Sequence, residues 1–273
     1  MLTVYTRGEE SRNSLPAPLT PADTTHIKQA GDFRLLSYNV RHCEGMDNQV
    51  DYDRIASIIN DLDVDIVCLQ ELDKNTTRTG QVDQISILAE KTGMTACFAK
   101  AIDYEGGEYG VGILTKEIPL ATSQYPLPGK EPRTVLIAEF ADYVVASTHL
   151  DLQGDTRLED AKIVTEKVKA LGKKAYLAGD FNEKDRTGAV FQVLDKDWTV
   201  VSSPAKTFPT GTPRTCIDYV LTLNTGDNYQ VSNTSVVYSL PKVNVATASD
   251  HYPIYTDFNI YYDVPNKTIT YRQ

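Results

Sequence analysis

Lys174-Ala175-Tyr176-Leu177-Ala178-Gly179-Asp180-Phe181-Asn182 decides the reading of this chain. Ala175 to Ala178 is an apolar run that ends in a glycine, an acid and an amide, the pattern of a buried strand that delivers polar side chains to a rim. Alternate side chains of an extended segment share a face, so Asp180 and Asn182 point the same way with Phe181 between them. A carboxylate can take a proton from water, and a carboxamide two residues on can orient that water or a phosphate oxygen. Taken alone, the same residues also fit a turn in which Asp and Asn bond their own backbone.

Five other stretches place acids, amides or a histidine at the end of an apolar run: Ser37-Tyr38-Asn39-Val40-Arg41, Leu69-Gln70-Glu71, Ser147-Thr148-His149-Leu150, Ile217-Asp218-Tyr219-Val220 and Ser249-Asp250-His251. Together with Gly179 to Asn182 they resemble the endonuclease/exonuclease/phosphatase superfamily, the DNase I-like metal-dependent phosphohydrolases. The resemblance covers about residues 33 to 260. It implies an α/β fold, a four-layer α/β sandwich with two mixed β-sheets face to face and helices on the outer sides.

The periodicities agree with layers of strands and helices. Phe33 to Val40 reads as a strand, Tyr52 to Leu62 as a helix with Ile55, Ile58, Ile59 and Leu62 on one stripe, and Val64 to Leu69 as a buried strand. Asp83 to Thr92 is a second helix, followed by strands at Ala96 to Ala99 and Val111 to Thr115. Thr134 to Phe140 and Tyr143 to Thr148 are joined only by Ala141-Asp142, which requires antiparallel neighbours. Thr156 and Glu159 form a capping box that opens a helix ending at Gly172. Beyond Asn182 come a short helix at Gly188 to Leu194, a loop rich in proline and threonine from Val200 to Arg214, and strands at Cys216 to Leu221, Asn233 to Tyr238 and Pro253 to Ile260. Residues 1 to 32, with Pro16, Pro18 and Pro21, read as an irregular leader, and 33 to 273 as a single catalytic domain.

Composition weighs against some functions. The net charge of −10 disfavours nonspecific nucleic-acid binding, which depends on cations that release counterions from phosphates. The one tight basic cluster, Lys167, Lys169, Lys173 and Lys174, falls on a helical stretch and its end and reads as a solvated face. No apolar run reaches the roughly 20 residues that cross a bilayer, and Met1 to Arg7 lacks the apolar core of a signal peptide. A mature secreted or periplasmic form with its signal removed has the same features, so the compartment stays open. Cys43, Cys68, Cys97 and Cys216 lack zinc-site spacing and read as free thiols, with an isolated bridge as the alternative.

Hydrolysis of an anionic phosphoester needs a cation on the phosphate, a base for water and stabilisation of the developing charge. Glu71 is the natural carboxylate ligand, and the resemblance sets Asn39 beside it and Asp250 on the metal or its waters. Hard oxygen ligands suit magnesium, with manganese as a substitute. The resemblance makes Asp218 the partner that orients His251, and makes His149 a second phosphate-contacting histidine. Arg133 looks like the arginine used on phosphate, a role suited to its planar fork, and the glycine-rich stretch before Tyr109 resembles one that brings a tyrosine to the substrate. Two departures stand out: Arg41 replaces an acid found in apurinic endonucleases, and Val111 replaces a polar partner of the second histidine, which weakens His149 as a general acid.

The expected function is magnesium-dependent hydrolysis of a phosphodiester or phosphomonoester by direct attack of water, by a monomer. Either Asp180 or His251 serves as base. A small or lipid-derived substrate is favoured, with Arg133, Arg41, Tyr109 and Asn182 as its contacts. The alternatives are a DNA endonuclease or exonuclease and, from another class, an inactive binding module on the same fold.

Overall fold

The computed structural model describes residues 26–226 and 229–259, so the leader expected over residues 1 to 32 falls largely outside the described residues. Twelve strands are found among them: β1 (Asp32–Asn39), β2 (Ile66–Lys74), β3 (Thr95–Tyr104), β4 (Gly107–Thr115), β5 (Ala121–Leu127), β6 (Arg133–Glu139), β7 (Tyr143–His149), β8 (Lys174–Asp180), β9 (Trp198–Val200), β10 (Asp218–Leu223), β11 (Val231–Val236) and β12 (Ile254–Asn259). The helices are α1 (Tyr52–Asp61), α2 (Gln84–Thr92), α3 (Gly154–Lys169), α4 (Ala189–Leu194) and α5 (Val245–Ala248). No helix among the described residues is long and apolar enough to cross a membrane.

The strands form two six-stranded mixed sheets, ordered β11-β12-β1-β2-β4-β3 and β5-β6-β7-β8-β10-β9. Each sheet is centred on one parallel pair, β1 with β2 and β7 with β8, and every other pairing is antiparallel. The pairs are the ends of two strand–helix–strand units, β1-α1-β2 and β7-α3-β8, set in equivalent places. Asn39 pairs with Gln70 in one and His149 with Asp180 in the other. Ligand sites of such sheets lie beyond the carboxyl ends of parallel strands, and here those ends carry the polar residues.

Alternation along each strand builds three apolar layers. Leu36, Tyr38, Val67 and Leu69 face α1 and α2, and Ala175, Leu177 and Leu221 face α3 and α4. Leu35, Cys68, Val111, Val145, Ala178 and Val220 fill the space between the sheets, giving the expected four-layer sandwich. Gly179 is required here, because a Cβ at that position would lie 2.1 Å from the Thr148 carbonyl oxygen of β7. A fully buried ion pair ties the first strand to the last: Arg34 donates to both carboxylate oxygens of Asp257 at 2.7 Å and to the carbonyl of Leu62 at 2.6 Å.

Several boundaries differ from the sequence reading. The capping box does not form: α3 starts at Gly154, and its cap position, Gln153, makes no side-chain cap. Asp151 instead shapes the turn by accepting the Gln153 N–H at 2.6 Å, while Asp160 accepts the Asp151 N–H at 2.9 Å. β5, over a stretch to which the periodicities assign no element, is largely exposed and contains Pro126, which an edge strand tolerates. The three-residue β9 is too short to show a period. Strand β2 runs past Glu71 to Lys74, and Tyr109 lies inside β4. The four cysteines are free, and Lys167, Lys169 and Lys173 pair with Glu166, Asp197 and Glu139.

Candidate active site

The carboxyl ends of β1, β2, β7 and β8 meet the start of β10 and the approach to β12 around a cavity of about 510 Å³. Strand register sets the side chains in a row: Asp180 on β8 stands beside His149 on β7 and Asp218 on β10. Asn39 on β1 faces them from the other sheet. Its amide donates to Glu71 Oε1 at 2.9 Å and to Asp180 Oδ2 at 3.1 Å. Ser249 holds this strand end by donating its hydroxyl to the Asn39 carbonyl at 2.7 Å, and it accepts the His251 N–H at 3.3 Å.

Glu71 reaches the cavity through a backbone irregularity. The pairing of β2 with β4 shifts register between Leu69 and Leu72, and Glu71 takes a left-handed φ of 60°. A bulge of this kind turns one side chain out of the alternating pattern, and such strain persists where the surroundings hold it. Without it Gln70, the register counterpart of Asp180, would mark the strand end; Gln70 is instead fully buried. Asn182 also has a positive φ, 49°, a conformation that asparagine tolerates better than most residues. Its N–H donates to Asp180 Oδ1 at 2.8 Å, and its amide contacts the Leu150 carbonyl at 2.9 Å and His149 Nε2 at 3.0 Å.

The two histidines have opposite electrostatics. Burial lowers the pKa of His149 well below the ordinary value, and the charges of Arg133 and His251 lower it further, so His149 is neutral. Burial also opposes charge on His251, but the carboxylates of Asp218 and Asp180 outweigh it and raise the pKa to about 10. His251 Nδ1 donates to Asp218 Oδ2 at 2.9 Å, and Nε2 lies 3.6 Å from Asp180 Oδ2. Phe208 covers the His251 ring at 4.7 Å between centroids. Desolvation raises Asp180 to about 7, with Asp218 adding to the shift and His251 opposing it. Burial likewise raises Glu71, and Asp250 adds to it while Asn39 and His251 oppose.

Of the candidate residues, Asn39, Glu71, His149, Asp180, Asn182, Asp218 and His251 converge within this network, and Asp250 lines the cavity beside His251. Arg133 and Tyr109 lie in the cavity wall, both nearly buried. Arg133 Nη1 pairs with Glu131 at 2.6 Å, while its buried Nε has no partner among the described residues. Arg41 stands at the rim with its guanidinium bonded to the carbonyls of Gly45 and Glu44 at 3.1 and 3.4 Å. Val111 is in the inter-sheet core, and His149 takes Asn182 as its partner instead.

Sequence reading missed Ser249, Phe208 and Arg78. Ser249 was in a quoted motif but overshadowed by Asp250 and His251. Arg78 sits in a short 3-10 turn without periodicity; it donates to both oxygens of buried Asp73 at 2.7 and 2.8 Å and stacks over Tyr104 and Tyr109. No periodic signal marks Phe208.

Two groups could hold a cation. Glu71 and Asp250 offer hard oxygen donors, with Asn39 beside them giving its N–H to Glu71 and its Oδ1 to the Arg41 N–H at 3.1 Å, and a divalent ion would stabilise the charged Glu71 carboxylate that burial disfavours. Asp180, Asp218 and His251 offer ligand atoms all within 4.8 Å, but Nδ1 of His251 is already committed to Asp218.

The sequence model of the Endonuclease/Exonuclease/phosphatase family matches residues 36–251. No curated protein gives a significant match. Among solved structures, an endonuclease/exonuclease/phosphatase from Bacteroides vulgatus superposes with a TM-score of 0.68 at 20% identity, covering 83% of this chain and 98% of that one. A mannosyl-6-phosphatase from Bacteroides thetaiotaomicron gives 0.68 at 21%, covering 83% and 99%. ANGEL2, a 2',3'-cyclic phosphatase, gives 0.63 at 15%, covering 83% and 95%.

Proposed function

Because this chain belongs to the endonuclease/exonuclease/phosphatase family, we propose that it hydrolyses a phosphoester by direct attack of water on phosphorus, with Asp180 as the base. The observation that carries the assignment is the geometry of the Asp180–His251 pair, with His251 Nε2 lying 3.6 Å from Asp180 Oδ2 and its Nδ1 held by Asp218 at 2.9 Å. In this setting burial pushes Asp180 up to about 7, and the neighbouring carboxylates push His251 up to about 10. At neutral pH the histidine is already protonated and has no free lone pair for water, whereas the carboxylate is close to its titration point, where a general base is effective. Asn182 holds Asp180 by its backbone N–H and directs the carboxylate toward the cavity. The His251 imidazolium, fixed by Asp218, faces the phosphoryl charge. Neutral His149 accepts the Asn182 amide and positions it.

A divalent ion held by Glu71 with Asn39 and Asp250, magnesium in first place, would supply positive charge to the phosphate oxygens. Arg133 adds a planar fork of donors from the wall, and Tyr109 adds its ring. Arg41 would reach a phosphate only by releasing its carbonyl contacts. A small or lipid-derived phosphoester is favoured. The net charge of −10 and a confined cavity support this, as do structural neighbours named for a sugar phosphatase and a cyclic phosphatase.

The test is a panel containing sugar phosphates, inositol phosphates, sphingomyelin, 2',3'-cyclic nucleotides, abasic duplex and plasmid DNA, each with magnesium, with EDTA and with the Glu71→Ala variant. Turnover of a small ester that is lost in EDTA and in the variant is expected. Turnover that survives both sinks metal dependence, and efficient cutting of either DNA, lost in the variant, overturns the substrate class.

A further inference from the structure

A second cavity of about 390 Å³ opens on the other side of the segment that covers His251. Residues 206–216 form the partition: an isolated bridge pairs Phe208 with Thr215, Phe208 lines the catalytic cavity, and Thr215 and Cys216 line the second one. Lys184 and Arg186 enter it from the loop after Asn182, and Lys206 and Arg214 enter from the two arms of the partition. No aspartate or glutamate lines it.

That charge pattern runs against the chain as a whole, which carries 37 acidic residues to 27 basic ones. Most lysines and arginines elsewhere among the described residues pair with acids, as at Lys28, Arg54, Lys116 and Lys173, and the exceptions, such as Lys130 and Lys196, do not line this cavity. Among the described residues Lys184, Lys206 and Arg214 make no ion pair, and Arg186 has only a long 3.5 Å contact with Asp195 while its guanidinium stacks 3.7 Å over Phe191. Four cations around one concave surface repel one another, and a cleft lined by one sign of charge focuses its field on a counter-ion. Ser202 at its floor accepts the Val220 N–H through Oγ, leaving its own O–H to donate.

We propose that this cavity is a second anion site that takes a phosphate-bearing group, distinct from the hydrolytic centre. Arg214 and Arg186 would supply paired N–H donors, and Lys184 and Lys206 point charges. The chemistry fits two sources, a second phosphate on the substrate itself or a free phosphorylated effector. The site does not depend on the hydrolytic reading, since none of its four cations belongs to the catalytic network.

Calorimetric titration of the whole chain with inorganic pyrophosphate, in EDTA and at low salt, tests the claim. Lys206→Ala/Arg214→Ala replaces two exposed side chains and should weaken pyrophosphate by roughly tenfold or more. Arg133→Ala, in the catalytic cavity, should leave that isotherm in place. An unchanged affinity in the double variant, loss of binding in Arg133→Ala alone, or no binding to the unaltered chain overturns the proposal; equal thermal midpoints of variant and parent confirm that folding is retained. Kinetics with a monophosphate and a bisphosphate of one alcohol then separate the sources. A KM raised in the double variant only for the bisphosphate assigns the site to substrate. Equal KM values, with monophosphate turnover altered by added pyrophosphate in the parent alone, assign it to an effector.

Discussion

At the scale of single residues, the site depends on two carboxylate–imidazole relationships. Asp180→Asn keeps the size and most hydrogen bonds of the side chain and removes its basicity, so kcat should fall by about 10²–10⁴-fold with KM little changed. Steady-state kinetics on the best ester of the panel measure this, and near-parental kcat would take Asp180 out of the mechanism. The pH profile carries a second prediction. Activity should rise as Asp180 deprotonates near pH 7 and fall as His251 deprotonates near pH 10. In Asp218→Asn, burial of His251 is opposed by one carboxylate fewer, so the alkaline limb should move to lower pH by a unit or more, on the order of 1.4 kcal/mol per unit. An alkaline limb that stays at its parental pH would mean that His251 is not the group reported there. Most of these residues were legible because each ends an apolar run. Ser249 was not, since a hydroxyl that bonds a remote main-chain carbonyl leaves no periodic trace.

At the scale of elements, strand ends do the positioning, and the sequence displayed them better than it displayed helix starts. Strands β1, β7 and β8 were readable from continuous apolar runs, which is the signature of parallel strands covered on both faces. The β2 bulge was not readable, because the pattern Leu69-Gln70-Glu71-Leu72 gives no indication that one residue is extra; only the shifted pairing with β4 reveals it. The start of α3 was misplaced because Asp151 and Asp160, nine residues apart, do the work that local capping would have done. The tie between β1 and β12 predicts a large effect away from the site. Asp257→Ala leaves the Arg34 guanidinium buried without its counter-charge, which should cost about 3–5 kcal/mol of stability. Urea unfolding measures it, and a loss below about 1 kcal/mol would show that Arg34 finds water or another acceptor.

At the scale of the whole molecule, the cavity exists only where the two sheets meet. Asn39 and Glu71 come from one sheet and His149, Asp180 and Asp218 from the other, joined at the 3.1 Å contact between Asn39 and Asp180. An ion held on the Glu71 side is bound by the folded state alone, so magnesium at about 100 times its Kd should add about 2.7 kcal/mol of stability. Thermal unfolding with and without magnesium measures this shift; Glu71→Ala should abolish it, and an equal shift in the variant would place the ion elsewhere. The four layers were legible from interleaved strand and helix patterns, whereas the partition between the two cavities lay in a loop rich in proline and threonine that carries no period. The same architecture sets a clock. Arg34 waits for Asp257, 223 positions later, which at about 5–20 residues per second of synthesis is roughly 11 to 45 s. Through that interval β1 has an open edge and Asn39 lacks its Ser249 anchor, so the nascent chain passes through most of its translation as an incomplete sheet, and the cavity takes its full lining only when its closing strand arrives.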